Sequence, residues 1–202
     1  MNILIKEMQR KFVHLSSLIY PLLYLFFFTK EQMIFIFGML FFVIYSWDLL
    51  RIKKNYKVKI FTLFHRFMRT DEISNKKFTG ATFFLLACFL VVLIFPKTVA
   101  ILSIIILVVC DTCAAIVGMS MGKHKLLDKS WEGFIAFIVS GLIVVVLYFF
   151  ATQEPLASYD IYYYALAGVF FSAIAELVAK KIKIDDNLII PIVFAIILNL
   201  GY

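Results

Sequence analysis

From Thr98 to Cys110 the chain reads TVAILSIIILVVC, thirteen residues with one serine as their only polar break after the first position. Such a run has no polar face to offer water, so it suits neither a surface helix nor a half-exposed strand. With its flanks it exceeds the roughly 20 apolar residues a helix needs to cross a bilayer. Comparable stretches recur at about 12–28, 32–50, 79–95, 98–121, 132–151, 161–179 and 187–201, the first and last being the shortest. Hydrophobic residues make up 63% of the 202 and charged residues 16%, which excludes an ordinary soluble domain. A membrane β-barrel would show short alternating segments instead. The expected fold is all-α, a polytopic transmembrane helix bundle of about seven spans. It forms a single integral-membrane domain over 1–202, with no separate soluble unit and no internal repeat.

Basic residues set the expected orientation. The start, MNILIKEMQRKFVHL, carries Glu7 and lacks a small-residue cleavage site, so it reads as a cytoplasmic amino terminus rather than a signal peptide. With that end inside, 18 of the 20 Lys and Arg residues fall in inner segments, and only Lys30 and Lys97 lie outside. The net charge of +7 then follows from topology and attraction to anionic headgroups, and requires no nucleic-acid partner. The long inner connection, about 51–78, contains VKIFTLFHRFMRT, whose Val58, Phe61, Phe64 and Met68 recur near helical spacing. That pattern predicts a helix lying in the interface, either a plain connector or a guide for a lipid. Cys88, Cys110 and Cys113 all fall within spans, where they read as small packing residues rather than a disulfide or a redox pair.

Ionisable groups inside spans are costly and normally face a bundle interior or a wet cavity. Here His14, Asp48, Asp111, Glu132, Glu176, Asp185, Asp186 and Asn187 all fall toward the inner ends of their segments. The outer half is almost pure hydrocarbon, which argues against a through-membrane pathway and for one polar site open to the cytoplasm. Within the fourth span, Ala114, Gly118 and Gly122 recur every four residues and make a groove where another backbone can approach. Packing explains those small residues but not Asp111, which calls for a cationic partner, either a basic side chain or a divalent metal. Downstream, GKHKLLDKSWEG supplies Lys123, Lys125 and Lys129, then Ser130 as a candidate N-cap ahead of Gly133. A helix amino terminus with free N–H groups attracts anions. The GMSMGKH string is no Walker A loop, having three residues between its glycines and His124 after Lys123. Spacing pairs Asp48 with Arg51 and Glu176 with Lys180, so both acids read as structural, while Asp185 reads as an N-cap. His65 and His124 carry no functional context.

Taken together, QRKFVHL, the CDTCAAIVGMSMGKHKL…KSWEG segment and DDNLIIPI resemble the polyprenol, phytol and dolichol kinases, a family that includes the CTP-dependent diacylglycerol kinases. The LFHRFMRTDEISNKKFTGATFFLLA stretch is similar to the segment before the third span of those proteins, and the likeness covers most of the chain in order. The resemblance implies an integral membrane enzyme of a bacterial or archaeal cell (inner) membrane, its active site facing the cytoplasm. Such an enzyme transfers the γ-phosphoryl group of CTP or another nucleotide such as ATP, with Mg²⁺, to a lipid alcohol. It implicates Arg10, Lys11 and His14; Asp111, Gly118, Gly122, Lys123, Lys129, Ser130, Glu132 and Gly133; and Asp186, Asn187 and Pro191. Phosphoryl transfer asks for positioning and charge neutralisation. On that chemistry Asp111 with Glu132 or Asp186 can hold Mg²⁺, and Lys123, Lys129, Arg10 and Lys11 can bind phosphate oxygens. A carboxylate or His14 can orient the attacking hydroxyl. Two alternatives stand beside this reading. One is nucleotidyl transfer like that of the distantly related phosphatidate cytidylyltransferases, whose carboxyl-terminal His-Gly-Gly and Asp-Arg run this chain lacks. The other is a non-catalytic membrane transporter or scaffold.

Overall fold

The computed structural model describes residues 3–54, 72, 77–152 and 159–202. Over them run α1 (Ile3–Ser16), α2 (Ile19–Phe26), α3 (Lys30–Lys54), α4 (Gly80–Ile94), α5 (Lys97–Met121), α6 (Trp131–Thr152), α7 (Tyr159–Val178) and α8 (Asp186–Asn199). A small antiparallel hairpin, β1 (Lys125–Leu126) with β2 (Lys129–Ser130), joins α5 to α6. Sequence reading missed the hairpin, because its turn carries none of the usual glycine or asparagine. Leu127 instead adopts a left-handed conformation at φ 56°. The expected interfacial helix over residues 58–70 lies outside the described residues.

Prolines decide where the apolar runs break. Pro96 excludes helical geometry from the residue before it, and Phe95 is accordingly extended, closing α4 and opening α5. Pro21 lacks the N–H that would bond the Ser17 carbonyl, and its ring crowds that carbonyl. The expected first span, 12–28, is therefore two helices. At the bend, the Ser17 and Leu18 N–H groups donate to His14 and Leu15 carbonyls at 3.0 and 3.1 Å, the tighter three-residue pattern. Among the described residues, four helices are long and apolar enough to cross a membrane, over Lys30–Lys53, Lys97–Met121, Trp131–Thr152 and Asp160–Val178. Reaching seven spans needs α4, α8 and the bent α1–α2 pair as well, and none of these has that length alone.

Helix α5 forms the axis, packing against α6, α8, α1, α4 and α2. Its Ile101, Leu102, Ile104, Ile106, Leu107 and Val108 are fully buried. Lipid tails are as apolar as these side chains, so the bundle is held by close van der Waals fit rather than by expelling water. The outer surface keeps large apolar groups bare, Phe150 being 82% exposed. That surface and the four long apolar helices make the chain an integral membrane protein.

The bundle has two unlike ends. At one, Lys30 Nζ donates to the Phe95 carbonyl at 2.9 Å and Lys97 Nζ to the Phe28 carbonyl at 3.2 Å, cations sitting on helix carboxyl termini. Toward the other, buried Asp48 accepts from Arg51 Nε at 3.0 Å, as the spacing suggested. It also accepts from Thr79 N at 2.7 Å and Thr82 Oγ1 at 2.7 Å, tying the start of α4 to α3. This second end carries the cleft described next.

Candidate active site

Helix α5 ends in a row of small residues, and what fills the row is the start of α6. A Cβ added to Gly133 would lie 2.9 Å from the Ala114 carbonyl oxygen, and one on Gly118 would lie 3.1 Å from Ser130 Oγ. A Cβ on Gly122 would meet the Gly118 carbonyl at 2.2 Å and Ser130 Oγ at 2.9 Å. Bare backbone on both helices is therefore what lets the Ser130–Gly133 turn sit on α5. Ser130 Oγ accepts from Gly133 N at 3.1 Å, the cap expected from the sequence. Because Ser130 closes the hairpin opposite Lys125, the same contacts fix where Lys129 points.

Asp111 stands ten residues before the end of α5, about 15 Å along the axis at helical rise. It is buried, and its Oδ2 takes a close ion pair from Lys11 of α1, whose Nζ also reaches the Asp111 carbonyl at 3.2 Å. His14, one turn further along α1, brings Nε2 to 3.6 Å from the same Oδ2 and leans edge-on against Phe84. That Nε2 is buried and has no hydrogen-bond partner among the described residues. Neither partner could be assigned to Asp111 from spacing, since about one hundred residues separate α1 from it.

A second charge group comes from the other side. Lys129 Nζ bonds Glu176 Oε1 of α7 at 2.7 Å and lies 3.7 Å from Asp186 Oδ2 of α8. Burial disfavours the Lys129 ammonium, but the carboxylates of Glu176, Asp111 and Asp186 outweigh it and hold its pKa above the ordinary lysine value. Asp185 caps α8 by accepting from Asn187 N at 3.0 Å, and Asn187 Nδ2 donates to the same carboxylate at 2.8 Å. This local clasp sets the direction in which Asp186 leaves the helix start.

Lys11, Asp111, Lys129, Glu176 and Asp186 line one cleft of about 580 Å³. Of the residues singled out from the sequence, Arg10, Lys11, Asp111, Gly118, Gly122, Lys123, Lys129, Ser130, Gly133 and Asp186 line it. Arg10 at its wall is paired with Glu7. His14, Glu132 and Asn187 do not line it. His14 backs Asp111, Asn187 is buried in the α8 clasp, and Glu132 accepts from His124, ring Nδ1 to Oε1 at 2.8 Å. Two residues were missed. Glu176 was paired by spacing with Lys180, but it takes Lys129 instead, and Lys180 lies 3.5 Å from Asp128. His124 lines the cleft and holds Glu132. The first had a signal, a carboxylate at the same depth as the others. The second had none.

Among the described residues, no three or more His, Cys, Asp or Glu side chains gather closely enough to enclose a metal ion. A Mg²⁺ carried by a nucleotide asks for less, one or two carboxylates with phosphate and water filling the remaining positions. Asp111 and Asp186, facing one cleft, fit that demand. Glu132, held by His124 away from the lining, does not join them.

An uncharacterized protein of Rickettsia prowazekii is 31% identical to this chain over 194 residues, which cover 94% of this chain and 92% of that protein. CTP-dependent diacylglycerol kinase 1 of Schizosaccharomyces pombe is 30% identical over 138 residues, 64% of this chain and 63% of the kinase. An uncharacterized protein of Methanocaldococcus jannaschii is 33% identical over 124 residues, 59% of this chain and 58% of that protein. The match thus spans just under two thirds of the kinase's own length, enough to relate the two chains. No family model and no solved structure matches the chain.

Proposed function

We propose that this chain, which belongs to the same family as its Rickettsia prowazekii relative and is related to CTP-dependent diacylglycerol kinase 1, is a lipid kinase. It moves the γ-phosphoryl group of CTP, or of another nucleoside triphosphate, to the hydroxyl of a membrane lipid alcohol. The observation that carries the reading is Asp111. A carboxylate buried about 15 Å inside an apolar helix, yet facing a cleft lined with lysines, suits a reaction in which one substrate stays in the bilayer and the other arrives from water.

In this reading the nucleotide's phosphates lie along Lys123, Lys129, Arg10 and the amino end of α6 at Ser130 and Gly133. Asp111 and Asp186 would hold a Mg²⁺ bound with the nucleotide, which would neutralise phosphate charge. Lys11 sits beside Asp111, where the lipid hydroxyl approaches. The hydroxyl oxygen bonds the γ-phosphorus while the bond from that phosphorus to the β,γ-bridging oxygen breaks, releasing a nucleoside diphosphate. A carboxylate of the cleft takes the hydroxyl proton, or His14 does from behind Asp111, where its unbonded Nε2 lies 3.6 Å from Oδ2. Lys129 balances the charge that builds on the leaving oxygens. The distribution of 18 of 20 basic residues supports a cleft on the cytoplasmic side of a bundle of about seven spans.

Purified protein in lipid discs, given γ-labelled CTP or ATP with dioleoylglycerol, a polyprenol or phytol, tests the reading. Label in the lipid supports the kinase. Label in released pyrophosphate instead assigns nucleotidyl transfer, and no turnover with any pair removes the catalytic reading.

A further inference from the structure

A second hollow, about 590 Å³, runs between α1 and α5 beside the cleft. Its wall is mostly apolar, formed by Met8, Phe12, Val13, Leu15 and Ile116, with Gln9 and Thr112 among its polar members. Lys11 lines both this groove and the polar cleft, so the two are continuous across one side chain. Phe12 is 74% exposed on the outer surface of the bundle, so the groove also opens toward acyl chains.

Thr112 is out of place in that wall. Four other hydroxyls on the helices satisfy themselves on the backbone four residues earlier. Ser103 donates to the Val99 carbonyl, Ser120 to Ile116, Ser140 to Ala136 and Thr152 to Tyr148, all between 2.6 and 2.9 Å. Thr112 makes no such bond. The residue is buried and its Oγ1 has no hydrogen-bond partner among the described residues. A buried hydroxyl without a partner is costly, and a threonine on a helix has two accessible χ1 states that exchange its methyl and hydroxyl positions. What it lacks is an acceptor.

Resting on the kinase reading above, we infer that the α1–α5 groove is the binding site for an acyl chain of a glycerolipid alcohol, with Thr112 Oγ1 donating to the ester carbonyl of that chain. Lys11 then divides the lipid, hydrocarbon on the groove side and free hydroxyl on the cleft side next to Asp111. A polyprenol or phytol carries no carbonyl and leaves Thr112 as it is, so the groove favours diacylglycerol over the isoprenoid alcohols.

The full chain in lipid discs is irradiated with a dioleoylglycerol analogue carrying a diazirine on one acyl chain, and the adducts are mapped by mass spectrometry. Adducts between Met8 and Leu15 and between Thr112 and Ile116, competed by unlabelled dioleoylglycerol, are expected. Ile116→Trp, which fills the groove, should cut them about tenfold. In steady-state assays Thr112→Val should raise KM for dioleoylglycerol several-fold, while kcat, the nucleotide KM and the KM for geranylgeraniol stay within twofold. Adducts confined to other helices, or an equal rise in KM for both alcohols, would overturn the assignment. Competed groove adducts without any turnover would leave the groove standing and sink the kinase reading instead.

Discussion

Lys11→Met isolates the buried charge pair on which the cleft is built. Lys11 and Asp111 are each only 4% exposed, so removing the ammonium leaves a carboxylate in a low-dielectric site with its chief counter-charge gone. Breaking such a pair from one side costs about 3–5 kcal/mol. His14 Nε2 remains 3.6 Å from Oδ2, and Lys129 shares the cleft, so the loss should fall at the lower end, about 3 kcal/mol. Asp111→Asn strands the lysine and should cost a similar amount. With both changed, no unpaired charge is left, and the cycle should return a coupling energy of about 2 kcal/mol. The assay is detergent-titrated unfolding of the four proteins in mixed micelles, followed by near-UV circular dichroism. A coupling below about 0.5 kcal/mol would refute the reasoning, because the two charges would then be independently solvated.

Gly133→Ala drives a methyl to 2.9 Å from the Ala114 carbonyl oxygen and should cost about 1–3 kcal/mol by prying the start of α6 off α5, read as a fall in the same unfolding midpoint. Ser130→Ala loses the bond to Gly133 N and should cost about 1 kcal/mol, with a matching rise in the nucleotide KM. Lys129 has its pKa held above the ordinary lysine value by the carboxylates that outweigh its burial. Its stabilising charge is thus fully present below about pH 10.4 and is lost only as pH climbs through the higher folded-state value. The stability difference between wild type and Lys129→Met should stay flat from neutral pH to that point and then shrink; a difference already gone at pH 9 would contradict it.

What was legible beforehand was local. Ser130 and Asp185 announce caps because a short oxygen side chain before an apolar run serves the nearest N–H groups. The Ala114, Gly118 and Gly122 row announces a close backbone approach without naming its partner, and the partner is the next turn of chain. Asp111 announced that a cation must meet it, though not that Lys11 would. The errors are those of local reading carried too far. Glu176 has a lysine one helical turn away, yet a hairpin lysine 47 residues earlier reaches it in a drier setting where the attraction is stronger. Pro21 was in plain view and broke the first span, whose apolar length masked it. The hairpin before α6 had only Asp128 to betray it, since the left-handed turn position is taken by Leu127 and not by glycine or asparagine.

The most direct measurement is the rate of γ-phosphoryl transfer to dioleoylglycerol in Lys129→Met beside Lys97→Met. Both remove one lysine, the first from the cleft and the second from the opposite end of the bundle, where Lys97 rests on the Phe28 carbonyl. Loss of one preorganised charge at the reacting phosphates should lower the rate about 100-fold or more. Lys97→Met should stay within twofold of wild type. Transfer at the wild-type rate by a folded Lys129→Met protein would contradict the account.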